Sequence, residues 1–415
     1  MRVLVITFGT EGDVRPLAAL CSALIAAGHE ARLLAPDDGL DAVRVLGVPA
    51  TGLSGGIRTT LNAAGTTRGE NSAAALARVA NDNASAWLKT ALDHGSGCDL
   101  VIAASLAAFV GLSAAETLGV PGIGAGMFPL TSTAEFASPF VPPGAVPGWA
   151  NRLTFRLINE MIWRGLAGAT NKARREVGLP SRRRLWTEHP MLYGFSRYLI
   201  PRPDDWPANA TICGLWARPA ADWSPPDDLA AFLAAGEPPI YVGFGSMAVT
   251  EPRRLLEALV AGIGGRRALF YPGWSGLQAP DLPANVHLIG ATPHDWLFPR
   301  TAMAIHHGGS GTTHSAALAG VPSIVAPFAG DQPFWADRLR RAGVAPAPIS
   351  PHRPDARAIA AAIDFGYRPE VRSRAAELGQ AMAAESGLES AVVRIEELAG
   401  SVKASPGGGA IAAHP

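Results

Sequence analysis

The sequence predicts an α/β protein built of two doubly wound, Rossmann-like domains. Three observations predict it. First, continuous apolar runs, rather than alternating ones, end in glycine-rich turns after Val3–Phe8 and after Met303–Ile305. Such runs are strands buried on both faces, as in parallel sheets covered by helices. Second, helical patterns follow those turns and are closed by Gly28 and by Gly320 with Pro322, so strand and helix alternate. Third, a chain of 415 residues exceeds one ordinary core. Its Pro-, Asp- and Trp-rich stretch at 201–237 (PRPDDWP, then WSPPDD) reads as a linker. The expected division is an N-terminal domain over 1–200, a linker over 201–238, a second domain over 239–400 and a disordered tail over 401–415.

Taken in order, the strand Val3–Phe8 leads into Gly9-Thr10-Glu11-Gly12-Asp13-Val14-Arg15-Pro16. Pro16 suits the first turn of a helix that carries Leu17, Leu20, Leu24 and Ile25. Glu30–Ala35 is the second strand. Gly9 and Gly12 make a Gly-X-X-Gly without the third glycine, which argues against a nicotinamide oxidoreductase. Asp13 stands past a strand end at a helix start. From position alone it is either an acid complementing the helix dipole or a group facing a ligand. Gly55-Gly56 and Gly65-Thr66-Thr67 read as loops, then Ser72–Leu92 as a helix. Asp99–Ser105 is a buried strand, a helix follows to Gly119, and Pro121–Phe128 is a further strand.

Residues 131–200 are the least regular. A helix over Ala150–Val177 carries Leu153, Leu157, Met161 and Leu166 at helical spacing, among Phe136, Phe140, Trp149, Phe155 and Trp163. These residues read as core, as the lining of a wide apolar pocket, for which Phe128, Phe136 and Trp163 are the candidates, or as a membrane-facing surface. Arg182-Arg183-Arg184, with Arg174-Arg175 nearby, is the one basic cluster, read as a solvated face or as a peripheral contact with anionic lipid. The acid pairs at 204–205 and 227–228 read as turn and cap residues, since no His or Cys stands beside them at ligand spacing.

The second domain opens with the strand Pro239–Phe244 and a tight Gly245-Ser246-Met247 turn. Ala268–Tyr271, Val286–Ile289 and Met303–Ile305 are further strands. His306-His307-Gly308-Gly309-Ser310-Gly311-Thr312-Thr313 then opens a helix. Glycines before a helix N-terminus let backbone N–H groups approach an anion, and the dipole adds positive charge there. His307 and the hydroxyls of Ser310, Thr312 and Thr313 add donors. No lysine follows the glycines, so this is a diphosphate cradle unlike a P-loop. One βαβ step later, past the strand Ser323–Phe328, Asp331-Gln332 pairs an acid with an amide, a combination suited to sugar hydroxyls.

At this point the chain resembles a family. The stretch HHGGSGTTHSAALAGVPSIVAPFAGDQPFWADRL, with PPIYVGFGSM and TPHDWLFPR upstream, is similar to the nucleotide-sugar signature of family 1 glycosyltransferases, in their sterol glucosyltransferase and bacterial antibiotic glycosyltransferase branch. GTEGDVRP resembles the GxxGDVxP stretch of the same branch. The resemblance implies a GT-B fold, in which the two domains face each other across a cleft and a C-terminal helix crosses back to the first domain. It implies Asp13 as general base, and Ser246, His307, Gly308, Gly309, Ser310, Gly311 and Thr312 around the donor diphosphate. Asp331 and Gln332 would hold the donor sugar, and Trp274, Thr292 and His294 would lie where the nucleobase sits. Plant members place a stacking Trp near Ala291 and a ribose-binding Glu near Ser315; this chain has neither, which leaves the base of the donor open. The implied reaction is inverting transfer of a hexose, from UDP-glucose or a dTDP-deoxysugar, to a bulky lipophilic alcohol, with no cofactor or metal. A sugar-nucleotide epimerase and a non-catalytic nucleotide-sugar binding protein are the rival readings.

Composition bounds the rest. With 48% hydrophobic and 17% charged residues the chain is globular. Thirty-five basic and 35 acidic side chains leave no net charge, which argues against nucleic acid as a partner. Three separated cysteines without a CxxC pair fit reduced thiols and a cytoplasmic location. The opening apolar run is too short for a secretory signal, and no run reaches the length of a membrane span. Abundant Ala, Gly and Arg with few Lys points to a GC-rich bacterial genome. Oligomeric state is not legible.

Overall fold

The computed structural model describes residues 1–57, 59–60, 72–218, 223–245, 251–273 and 282–403. Its strands are β1 (Arg2–Phe8), β2 (Glu30–Pro36), β3 (Ala50–Leu53), β4 (Leu100–Ser105), β5 (Gly122–Gly126), β6 (Met191–Tyr193), β7 (Ala210–Ile212), β8 (Ile240–Gly243), β9 (Ala268–Tyr271), β10 (Val286–Leu288), β11 (Met303–His306) and β12 (Ser323–Val325). They form two sheets, ordered β3-β2-β1-β4-β5-β6-β7 and β10-β9-β8-β11-β12. Every strand pair among them is parallel. In each sheet the order reverses once, between β1 and β4 and between β8 and β11. Helices leave to opposite faces at such a point, and a crevice opens at the carboxyl ends of the two strands.

The first sheet is apolar on both faces, as the unbroken run of β1 requires. One face packs on the helix Glu11–Ala26, the other on the helices Ser72–Gly95, Ala108–Leu118 and Asn151–Glu176. The expected start of the first helix shifts. It begins at Glu11, so Pro16 lies inside it rather than in its first turn. The cause is the cap: Asp13 sits at the third helical position and its carboxylate accepts the Thr10 N–H, which starts the helix early. Pro16 then forfeits one helical bond.

The stretch 201–238, read as linker, is not all linker: β7 pairs with β6 and extends the first sheet, and Asp227–Ala234 is a helix. Pro and Asp around such short elements hide them from periodicity. The last helix, Gly387–Lys403, packs back on the first domain. Leu388, Val392, Ile395 and Ala399, at helical spacing, join Val14 and Leu17 in one buried cluster. Each large apolar side chain so buried contributes about 1.5–3 kcal/mol. His29 Nε2 and Glu396 Oε1 meet beside it at 2.9 Å.

The helix Asn151–Glu176 divides its apolar residues. Phe155, Trp163 and Leu166 are buried, but Leu153, Leu157 and Met161 are exposed, with Trp149 just before them. The i, i+4 stripe at 149, 153, 157 and 161 is therefore a surface, not core. Of the basic cluster, Arg174 and Arg182 turn inward. Arg174 pairs with Glu116 at 2.8 Å, and Arg182 pairs with Glu116 at 3.4 Å while stacking over Trp186. No helix among the described residues is long and apolar enough to cross a membrane.

Candidate active site

At the first crevice, β1 ends at Phe8 and β4 at Ser105, and the two are register partners. Gly9 follows Phe8. A Cβ there would lie 2.2 Å from Asp13 Oδ2, so only glycine lets the carboxylate fold back over the turn. Asp13 is half-buried and doubly held. Its Oδ2 accepts the Thr10 N–H at 2.9 Å, and its Oδ1 accepts the Ser105 hydroxyl at 2.5 Å. Burial raises its pKa above the usual carboxylate value, while the Ser105 and Thr10 hydrogen bonds pull it down without cancelling the rise. The two positional readings of Asp13 are thus compatible: it caps the helix and stands at the crevice.

At the second crevice, β11 ends at His306 and the helix Ser310–Leu318 starts after His307-Gly308-Gly309. Gly308 has φ +89, and a Cβ there would lie 2.6 Å from Val325 Cγ1, so conformation and space both demand glycine. The first N–H groups of the helix have no intrahelical acceptor by construction. His307 packs against Gly245 at the end of β8, where a Cβ would come within 3.1 Å of its ring. Burial lowers the His307 pKa to about 4, so the imidazole is neutral at pH 7 and offers an N–H rather than a charge. Its Nδ1 is buried with no hydrogen-bond partner among the described residues. His306 is a strand residue whose Nδ1 accepts the Gly308 N–H at 3.1 Å.

Two side chains of the glycine-rich helix join the domains instead of pointing at a ligand. The Ser310 hydroxyl donates to the Met127 carbonyl just beyond β5 at 2.8 Å, so its proton is spent on the first domain; only its N–H is left for an anion. His314 is fully buried. Its Nε2 accepts the Ser196 N–H at 3.1 Å, so Nδ1 carries the proton and donates to the Ser310 carbonyl at 2.7 Å. Beside them Arg338 lies 4.3 Å over Phe136 and 4.6 Å over Phe334.

Asp331 precedes the helix Gln332–Arg341. Its Oδ2 accepts the Trp335 indole N–H at 2.7 Å. Burial pushes its pKa up to about 6, and the Asp13 carboxylate adds to the rise, so the two acids sense each other across the cleft. Gln332 is nearly buried and its Oε1 accepts the N–H groups of Phe328 and Ala329 at 2.7 and 3.2 Å. The carbonyl end of its amide therefore holds the turn.

The remaining candidates fare unequally. Ser246 and Trp274 lie outside the described residues. Thr292 donates its hydroxyl to the Gly290 carbonyl at 3.1 Å. The His294 ring stacks on Phe298 at 4.3 Å, which covers one face, and burial lowers its pKa to about 4. Phe128 is half-buried beside Met127, edge-on to Phe140 at 5.3 Å. Phe136 is half-buried under Arg338 at the domain seam, whereas Trp163 lies in the core, only 2% exposed with its indole N–H donated to the Arg183 carbonyl. Sequence reasoning missed Ser105, Met127 and Ser196. Ser105 had a weak signal, as a hydroxyl ending the strand next to β1; the other two act through backbone atoms and had none. Among the described residues no group of three or more His, Cys, Asp or Glu is placed to hold a metal ion.

Residues 3–137 match the glycosyltransferase family 28 N-terminal domain, and residues 272–398 the C-terminal domain of erythromycin biosynthesis protein CIII-like proteins. The chain is 35% identical to the O-mycaminosyltylonolide 6-deoxyallosyltransferase of Streptomyces fradiae, covering 96% of this chain and 98% of that one. It is 30% identical to a sterol 3-beta-glucosyltransferase of Arabidopsis thaliana, over 94% of this chain and 64% of the relative. Of a 31% identical sterol 3-beta-glucosyltransferase from Neurospora crassa it spans 27%. Among solved structures, the glycosyltransferase of kitacinnamycin superposes with a TM-score of 0.72 at 21% identity, over 95% of this chain and 98% of that one. The glycosyltransferase VinC in complex with dTDP gives 0.67 at 20% identity, over 97% and 100%.

Proposed function

Because the chain belongs to the GT-B glycosyltransferase family that includes these antibiotic and sterol enzymes, we propose that it moves a hexose from a nucleoside diphosphate sugar, UDP-glucose first among the donors, to a hydroxyl of a bulky lipophilic alcohol such as a sterol, triterpenoid or polyketide aglycone. The observation that carries the reading is the opposition of two crevices: the Asp13 carboxylate at one, the glycine-rich helix start at the other. Asp13 Oδ1 takes the proton of the acceptor hydroxyl. The freed oxygen attacks C1 from the face opposite the diphosphate, the C1–O bond to phosphate breaks, and its electron pair leaves on the diphosphate. The anomeric configuration inverts. The neutral His307 N–H, the backbone N–H groups of Gly309–Thr312 and the helix dipole stabilise the leaving charge, while the Gly308 N–H stays on His306 Nδ1 and Gly308 serves the cradle by its conformation. Asp331, through its second oxygen, and the amide nitrogen of Gln332 take sugar hydroxyls. The exposed Trp149, Leu153, Leu157 and Met161, flanked by Arg156, suit a peripheral meeting with the membrane that carries such an acceptor.

A second donor reading, a dTDP-deoxysugar, has its own support for the sugar: the 35% identical relative is by name a deoxyallosyltransferase. The test is product mass after incubation with UDP-glucose and a 3β-hydroxysterol, and in parallel with a dTDP-deoxysugar and a macrolide alcohol, each with a no-acceptor control. A product one sugar heavier in either arm, absent from its control, is expected and selects the donor. Sugar isomerisation without acceptor, or tight donor binding without turnover in both arms, would refute the transfer reading.

A further inference from the structure

We propose that Ser105 is a positioning residue for the transfer, its hydroxyl fixing Oδ1 of Asp13 from the far side of the crevice between β1 and β4. The proposal rests on Asp13 as the base. Three observations meet at Ser105, none of which follows from the others.

The first is place. Ser105 ends β4 opposite Phe8, at the point where the strand order reverses, and is exposed there. A side chain at that corner opens onto the crevice from which a ligand would reach Asp13.

The second is backbone. Ser105 has φ 54, and among the described residues it is the one non-glycine with a left-handed φ. A residue with a Cβ is disfavoured in that region, and glycine would relieve it. The chain turns from β4 into the helix Ala108–Leu118 within two residues, with the Leu106 N–H on the Phe8 carbonyl at 3.1 Å. The turn needs the left-handed conformation but not a side chain. Backbone cost held without local need is the pattern of a residue kept for its side chain.

The third is the bond. The Ser105 hydroxyl donates to Asp13 Oδ1 at 2.5 Å, across 92 positions of sequence. Being exposed, it could hydrogen-bond water equally well, so burial does not force the pairing. With the Thr10 N–H at 2.9 Å and the Thr10 hydroxyl at 3.4 Å on Oδ2 from the β1 side, the donors on the two oxygens fix the carboxylate plane. One lone pair of Oδ1 is left for the acceptor proton. A donor to the charged form also favours the ionised Asp13 carboxylate against the burial that raises its pKa; the acid that faces it from the second domain is Asp331. Ser105 thus sets both where the base points and the pH at which it is ready.

The experiment uses Ser105→Gly in the full chain. Glycine keeps the left-handed corner, so the variant should fold with a melting temperature at or above wild type, and only the hydroxyl is lost. Two readouts are taken. One is titration of the Asp13 carboxyl in the free enzyme by NMR of 13Cγ-labelled aspartate, assigned by its disappearance in Asp13→Asn. The other is the pH profile of kcat with UDP-glucose and a 3β-hydroxysterol. We expect the Asp13 titration and the acid limb of kcat both to move to higher pH, and kcat at its optimum to fall about 10- to 100-fold, the loss of one charge-assisted hydrogen bond, with donor KM within about twofold. An unmoved Asp13 titration in Ser105→Gly overturns the proposal, with or without turnover data. An unchanged kcat beside an inactive Asp13→Asn overturns it too, while the base survives. Wild-type turnover by Asp13→Asn would remove the base, and Ser105 with it.

Discussion

His314 offers a direct test of how the two domains are joined. It is fully buried between the Ser196 N–H and the Ser310 carbonyl, edge-on to Trp335 at 4.9 Å. Burial lowers its pKa from 6.5 to about 4. A depressed folded pKa means that the unfolded chain binds the proton first. The stability this neutral imidazole contributes is complete above pH 6.5 and is lost as pH falls towards 4, by about 3 kcal/mol in all. At pH 5.2 the folded ring is about 6% protonated and the unfolded one about 95%, so unfolding takes up about 0.9 proton at this residue. In His314→Gln the side-chain carbonyl can still accept the Ser196 N–H, but nothing titrates. Proton uptake on urea unfolding, read with a pH electrode in weak buffer at pH 5.2, should therefore be smaller by about 0.9 in the variant. Other groups cancel in the difference, including Asp331, whose raised pKa of about 6 works in the opposite sense. Equal uptake by the two proteins would mean that His314 is already charged when folded, and the assigned tautomer and the Ser196 bond would both be wrong.

Three further outcomes follow from the site. His307→Ala should raise donor KM and lower kcat about 10²- to 10³-fold, as for loss of one donor to the developing charge; unchanged values would remove the imidazole from the diphosphate. Gly9→Ala places a Cβ 2.2 Å from Asp13 Oδ2 and must turn the carboxylate away, so kcat should drop about 10²-fold or more for a stability cost of about 1 kcal/mol from the lost cap. A kcat near wild type in that variant would mean the carboxylate need not sit where it does. Leu157→Glu, on the exposed stripe, should weaken co-flotation with anionic phosphatidylserine vesicles without changing turnover of a detergent-dispersed acceptor; flotation equal to wild type would leave that face without a lipid role.

The sequence reveals the sheets readily because each strand of a parallel sheet is covered twice. β1, β4 and β11 appear as plain apolar runs, and their carboxyl ends fall on the turns that hold Asp13, Ser105 and His307. The glycine-rich motif is legible for the same reason, since glycine at Gly308 answers a backbone demand that no other residue meets. What stays hidden is partnership. Ser310 reads as a phosphate donor, yet its hydroxyl is taken by a carbonyl 183 positions away. Phe136 and Trp163 are aromatic and irregularly spaced, which says they are buried but not against what; one meets Arg338 at the domain seam, the other sits in the core. Leu153, Leu157 and Met161 keep helical spacing whether the stripe turns inward or out. β7 is three residues long, too short for any period to show.

The return of the helix Gly387–Lys403 to the first domain has a consequence in time. A ribosome releases residues 1–213, and with them every strand of the first sheet, well before it makes Leu388, Val392 and Ile395. At about 5–20 residues per second the first domain waits roughly 10 to 35 seconds with that apolar seam open. During that interval the seam is a site for chaperones or for a neighbouring nascent chain. The domain made first is therefore the one finished last, and a stop codon just before residue 387 would injure the beginning of the protein more than its end.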